Sequence, residues 1–104
     1  MQSFTIRVIK IIKNIPAGYV MTYGQIAEQA GSSRGARQVV RILYSLSKAH
    51  ELPWHRVVNV RGEIALQDEE LRFQQILYLQ EEGVEVDDLG RVRLEIFRFV
   101  QDMS

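Results

Sequence analysis

Apolar residues recur at helical spacing from the start of the chain, at Phe4, Val8, Ile11, Ile12 and Ile15, and Pro16 ends that run. Ala17-Gly18 then predicts a turn. Thr22 followed three residues later by Gln25 is a capping-box pattern, which predicts a second helix from about Tyr23 to Ala30. Gly31 suits the left-handed position that closes such a helix. Ser32 or Ser33 is expected to cap a third helix reaching about Ser47. A short helix, a brief glycine-containing turn and a longer helix together describe a helix-turn-helix.

The second half is patterned less sharply. Beyond Pro53, the segments Arg56–Val60 and Glu63–Leu66 flank Arg61-Gly62 and predict a small hairpin. Residues 68–82 read as a fourth helix that stops at Gly83. Val84–Val86 and Val92–Leu94 flank a turn containing Gly90 and are expected to pair. Residues 95–104 have no single dominant period and receive no assignment. No repeat, linker or low-complexity stretch interrupts the 104 residues, so one domain spanning 1–104 is expected, mainly α with small β elements.

The third helix has two faces. At 100° per residue, Ala36, Val39, Leu43 and Leu46 fall on one side. Arg34, Arg37, Arg41 and Lys48 fall on the other, within a sector of about 60°. An ordinary solvated helix mixes charge signs to gain i,i+4 pairs, yet no Asp or Glu lies between Arg34 and Lys48. That row of cations points to a phosphate backbone. The formal net charge of zero conceals the same asymmetry: residues 1–61 hold nine Lys/Arg against Glu28 and Glu51, and residues 62–88 hold nine Asp/Glu against Arg72.

Composition narrows the chemistry. With no cysteine, disulfides, zinc–thiolate sites and thiol nucleophiles are excluded together. No metal cluster, Gly-rich phosphate loop or Ser/His/Asp set is visible, so neither a metal nor a cofactor is expected. No apolar run approaches the roughly 18 residues of a membrane span. The charged, interrupted N-terminal stretch reads as a helix rather than a secretory signal, and a cytoplasmic monomer is expected.

Three segments stand in order: Val20-Met21-Thr22-Tyr23-Gly24-Gln25-Ile26-Ala27, Gly35-Ala36-Arg37-Gln38-Val39 and Pro53-Trp54-His55-Arg56-Val57-Val58-Asn59. Together they resemble the DNA-binding domain of the O6-alkylguanine-DNA alkyltransferases. They are nearest to the alkyltransferase-like proteins, which carry tryptophan where the repair enzymes carry the acceptor cysteine of a Pro-Cys-His-Arg motif. The resemblance runs from about Phe4 to Arg93. It implies a winged helix-turn-helix-like three-helix core that enters the minor groove of double-stranded DNA containing O6-alkylguanine. It also implies that Arg37 fills the gap left by an extruded nucleotide, that Tyr23 crowds the phosphate to drive rotation, and that Trp54 lines the pocket receiving the base. His55 and Glu82 match the family's histidine and C-terminal-helix glutamate and belong with that pocket. Arg34 and Arg41 are expected to add phosphate contacts.

Taken alone, each residue has a plainer reading. Tyr23 could pack on the first helix, Arg37 could be a simple phosphate contact, Trp54 could be core, His55 a satisfied hydrogen-bonding residue and Glu82 an exposed helix-end carboxylate. His50 carries no argument.

Direct removal of an alkyl group from guanine O6 needs a strong, soft nucleophile, and the indole of Trp54 is a hydrogen-bond donor with negligible nucleophilicity. A non-catalytic binder is therefore expected, and the resemblance implies that it hands lesions to nucleotide excision repair proteins. A helix-turn-helix reader of undamaged DNA is the alternative, resting on Gln38 as the third helix's one amide, and a protein-interaction module built on the acidic 68–88 stretch is another. The chain departs from its relatives at Val40 and Arg41, where small residues are usual. Asp68-Glu69-Glu70 lies where a loop is expected to approach the lesion, and Leu46 replaces an asparagine that supports the active-site loop.

Overall fold

The computed structural model describes residues 2–100. Five helices occupy most of this span: α1 (Ser3–Lys13), α2 (Tyr23–Gln29), α3 (Ala36–His50), α4 (Glu69–Glu81) and the single turn α5 (Leu94–Phe97). A 3-10 turn at Trp54–Arg56 precedes a strand, and two short strands, β1 (Met21–Thr22) and β2 (Val57–Val58), pair in parallel with Met21 opposite Val57.

Helices α1, α2 and α3 enclose one core. Val8, Ile12 and Ile15 from the first helix and its exit meet Ile26 and Ala27 of α2 and Val39, Ile42 and Leu43 of α3. On α3 the buried side is rotated slightly from the expected stripe: Ile42 is buried, while Ala36 and Leu46 are half-buried. Gly35 lies where α3 meets α1. A Cβ there would sit 2.8 Å from the Phe4 ring, so absence of a side chain lets the helix start close to its neighbour. A second cluster, made by Val20, Val58, Ile64, Leu79, Val84 and Val92, ties α4 and the following chain to the sheet.

The capping box forms as its residues predict. Thr22 Oγ1 accepts from Gln25 N at 3.0 Å, and Gln25 Oε1 accepts from Thr22 N at 3.3 Å. At the other end of α2, Gly31 N donates to Glu28 O and Ser32 N to Ala27 O, a Schellman closure with Gly31 at φ 101°. This closure overturns the expected cap of α3. Ser32 is consumed in ending α2 and its carbonyl accepts from Gly35 N, so Gly35 takes the N-cap position and α3 begins at Ala36. Arg34 consequently lies in the turn before the helix.

The predicted hairpin between Arg56–Val60 and Glu63–Leu66 does not form as a ladder. Asn59 closes a tight turn, its Oδ1 accepting from Arg61 N and Glu63 N, while Ile64 N donates to Gly90 O and Val92 N to Gly62 O. The 62–64 stretch thus takes its partner from 90–92, with Glu63 bridged to Arg91 in antiparallel sense. Val84–Val86 correspondingly does not pair with Val92–Leu94, whose last residue starts α5. Up to residue 100, the unassigned C-terminal stretch forms α5 and then lies beside β1, where Val20 N donates to Phe97 O and Phe99 N to Val20 O. Residues 101–104 lie outside the described residues.

Candidate nucleic-acid interface and base pocket

The third helix presents its cations as the sequence places them, with one change. Arg37, Arg41 and Lys48 are exposed, and among the described residues none of them joins an ion pair. Arg34 is exposed too, but in the preceding turn, so it lies at the end of the row and not along it. Spacings of four, three and four residues place Arg37, Arg41, Tyr44 and Lys48 within a sector of about 60°. Tyr44 is therefore part of the same face.

A pocket of about 180 Å³ opens beside this face. The volume greatly exceeds the roughly 10–15 Å³ that one water needs. Tyr23, at the first position of α2, and Trp54, on the 3-10 turn, form part of its wall. Val40, Leu43, Tyr44 and Ser47 of α3 supply another side, and Leu66, Leu71 and Gln75 close it from the second half of the chain. Burial, with Tyr44 nearby, pushes the Tyr23 phenol above its ordinary value, so at neutral pH it is a neutral hydroxyl able to donate or accept a hydrogen bond. Val40 is half-buried and turns to the pocket, so its extra bulk relative to a small residue is spent on the wall. Arg41 stays exposed on the cation row.

His55 and Glu82 meet each other but do not line the pocket. His55 Nε2 is 2.8 Å from Glu82 Oε2, and Arg56 donates to the same carboxylate at 2.6 Å through Nη2 and 3.0 Å through Nε. Gly18 N donates to Glu82 Oε1 at 3.1 Å, and Arg56 Nη1 reaches the Ile15 carbonyl at 2.9 Å. Partial burial pushes the Glu82 carboxyl up. The hydrogen bonds from Arg56, His55 and Gly18 outweigh burial and hold it at about 2. The network fastens the end of α4 and the exit of α1 to the turn bearing Trp54. His55, Arg56 and Glu82 therefore support the wall from behind.

Gln75 is the functional residue the sequence reading passed over. It is 3% exposed, and its Nε2 donates to His55 O at 3.1 Å and Val57 O at 3.0 Å, pinning both sides of the Trp54 turn. Its position four residues from both Leu71 and Leu79, an amide on the apolar side of α4, was the available signal. With Gln75 in place the turn has its support even though Leu46 packs as a half-buried hydrophobe against the main core. The Trp54 ring also meets Tyr78 edge-on, with centroids 6.2 Å apart.

The acidic stretch has a local structural use. Asp68 caps α4, its Oδ1 accepting from Leu71 N at 3.0 Å, and Glu69 and Glu70 occupy the first turn, where the helix dipole favours negative charge. Among the described residues, no group of three His, Asp or Glu side chains could hold a metal ion, and no helix is long and apolar enough to cross a membrane.

A helix-turn-helix whose α3 cations are unpaired among the described residues, set beside an aromatic-walled pocket, fits a DNA-binding domain. The chain belongs to the family described as the 6-O-methylguanine DNA methyltransferase DNA-binding domain, which matches residues 3–84. Within it the chain is an alkyltransferase-like protein. It is 46% identical over 97 residues to the DNA base-flipping protein of Escherichia coli, a match covering 93% of this chain and 74% of that one. It is 39% identical over 99 residues to alkyltransferase-like protein 1 of Schizosaccharomyces pombe, covering 92% of each. The crystal structure of S. pombe Atl1 in complex with damaged DNA containing O6-carboxymethylguanine superposes with a TM-score of 0.83 at 36% identity, covering 97% of this chain and 98% of that one.

Proposed function

We propose that this protein recognises O6-alkylguanine in double-stranded DNA and holds the extruded base without removing its alkyl group. The observation that carries this reading is the contiguity of the two halves of the site: Tyr44 lies in the α3 cation sector and on the wall of the pocket that Trp54 and Tyr23 share. Phosphates met by Arg37 and Arg41 would place a minor groove directly beside a cavity made for a flat ring. Extruding a base costs a few kcal/mol, and less where a lesion has already weakened pairing. The Arg37 guanidinium is flat and cationic and can stack in the vacated space, while stacking on an aromatic face returns about 1–3 kcal/mol per base.

No thiol is available in the chain, and the histidine–glutamate pair that could serve one has the Trp54 indole and the Tyr78 ring beside it. The product of binding is thus a persistent complex, and its use is to mark the site for nucleotide excision repair proteins. Both relatives support the reading, one by its name as a base-flipping protein and the other by its complex with damaged DNA.

The test is binding to matched duplexes with and without O6-methylguanine, followed by mass measurement of the recovered protein. The lesion duplex should bind more tightly and the protein mass should stay unchanged. Arg37→Ala should remove most of the lesion preference while thermal unfolding stays within a few degrees of wild type. Equal affinity for both duplexes, or a mass gain equal to the alkyl group, would sink the proposal.

A further inference from the structure

Tyr44 is 72% exposed, an unusual situation for an aromatic ring placed centrally on a helix whose other side forms the core. Its helical neighbours on that face are cations: Arg41 precedes it by three residues and Lys48 follows by four. At the same time its side chain lines the pocket with Tyr23, Val40 and Trp54, and it is close enough to Tyr23 to raise that residue's pKa. Among the wall residues it is the one that also belongs to the cation face. Its ring therefore stands between the cation face and the pocket.

Resting on the reading of the site as a lesion pocket, we propose that Tyr44 is a further specificity-determining residue: its ring packs on the extruded alkylated purine at the mouth of the pocket. The chemistry follows from position and exposure. A phenol ring already standing in solvent gains by being covered with an apolar, polarisable surface, and a purine bearing an alkyl group is such a surface. Trp54 and Tyr23 lie deeper, both half-buried, so the base that meets them leaves an outer edge for Tyr44 to cover. This contact exists only when the base is outside the helix. It adds to the preference for damaged over undamaged DNA, whereas Arg41 and Lys48, which can meet phosphates in either state, add to both affinities alike.

The two kinds of contact separate experimentally. Wild type, Tyr44→Phe, Tyr44→Ala and Tyr44→Lys are compared by fluorescence anisotropy on matched duplexes with and without O6-methylguanine, with thermal unfolding as the check on the fold. Tyr44→Ala should weaken binding of the lesion duplex by about 5- to 100-fold and change the undamaged duplex less than about twofold. Tyr44→Phe should keep the preference, because the ring carries it. Tyr44→Lys should strengthen binding to undamaged DNA while losing the lesion preference. Trp54 is the single tryptophan of the chain, so its fluorescence reports independently whether the pocket is filled in each variant. Parallel losses on both duplexes would reassign Tyr44 to general backbone binding and overturn the proposal. A Tyr44→Phe loss as large as that of Tyr44→Ala would also overturn it, since the hydroxyl and not the ring would then be responsible. Failure of the underlying reading is distinguishable, because wild type itself would then show no lesion preference.

Discussion

At Glu82 three donors from separate parts of the chain converge: the Gly18 amide after α1, and the His55 and Arg56 side chains on the 3-10 turn. A carboxylate so surrounded is stabilised in its charged form, and Glu82 stands at about 2 in place of its usual 4.5 despite the opposing effect of partial burial. A depressed folded-state value means stability that is complete above about pH 4.5 and is lost as the pH falls toward about 2. With the side chain 16% accessible, screening by solvent lowers the contribution to on the order of 1–3 kcal/mol. Urea unfolding of wild type and Glu82→Gln should therefore differ by that amount at about pH 6, by less at about pH 3, and converge only as the pH falls to about 2, where the folded carboxylate protonates. Parallel loss of stability in both proteins over that range would show that Glu82 is not the group responsible. The glutamate was legible as a family match, but its place was not. Glu82 lies 26 residues from Arg56 and 64 from Gly18, and nothing local in the sequence reports a meeting over such separations.

Among the elements, α2 was readable to within one residue because both of its ends are made by neighbours: Thr22 and Gln25 at one, Gly31 at the other. The start of α3 was misread for a related reason. Two serines in front of a helix offer caps, yet residues 32–35 form a turn in which Gly35 N donates to Ser32 O, so neither serine stands next to Ala36. The strands were misread because their partners are distant. Val57 pairs with Met21 in parallel, a non-local choice that a two-residue strand cannot signal by alternation. Helix α4 adds an example of hidden function within a correctly placed element, since Gln75 looks unremarkable in sequence and holds the Trp54 turn in the fold. Gln75→Leu keeps the approximate volume and removes both donated hydrogen bonds, leaving the His55 and Val57 carbonyls short of a partner. A loss of about 1–3 kcal/mol is expected by chemical denaturation. The Trp54 emission should shift as well, because the turn carrying the indole is released; an unchanged spectrum would show that Gln75 stabilises the fold without positioning the pocket.

Across the whole molecule the charges are sorted, and this was the feature most fully visible in the sequence. The basic first part builds the helix-turn-helix, and the acidic stretch 62–88 lies in the elements that close the pocket from the other side, where its carboxylates cap and flank α4. A net charge of zero gives little long-range attraction to DNA, so affinity depends on the few cations brought into contact. Each phosphate neutralised releases condensed counterions and contributes about 0.9 to the slope of log affinity against log salt concentration. Arg41 stands exposed and without an ion-pair partner among the described residues, one turn beyond Arg37. If it meets a phosphate, Arg41→Ala flattens that slope by about one and weakens damaged and undamaged duplexes in the same proportion. If Arg37 fills the space of the extruded base as proposed, Arg37→Ala differs, because a guanidinium in the stack acts on the extruded state and alters the ratio between the two duplexes more than the salt slope. Titrations at three or more salt concentrations on both duplexes distinguish these outcomes. An Arg41→Ala slope identical to wild type would place that side chain off the backbone, leaving Arg37 and its neighbours to hold the groove.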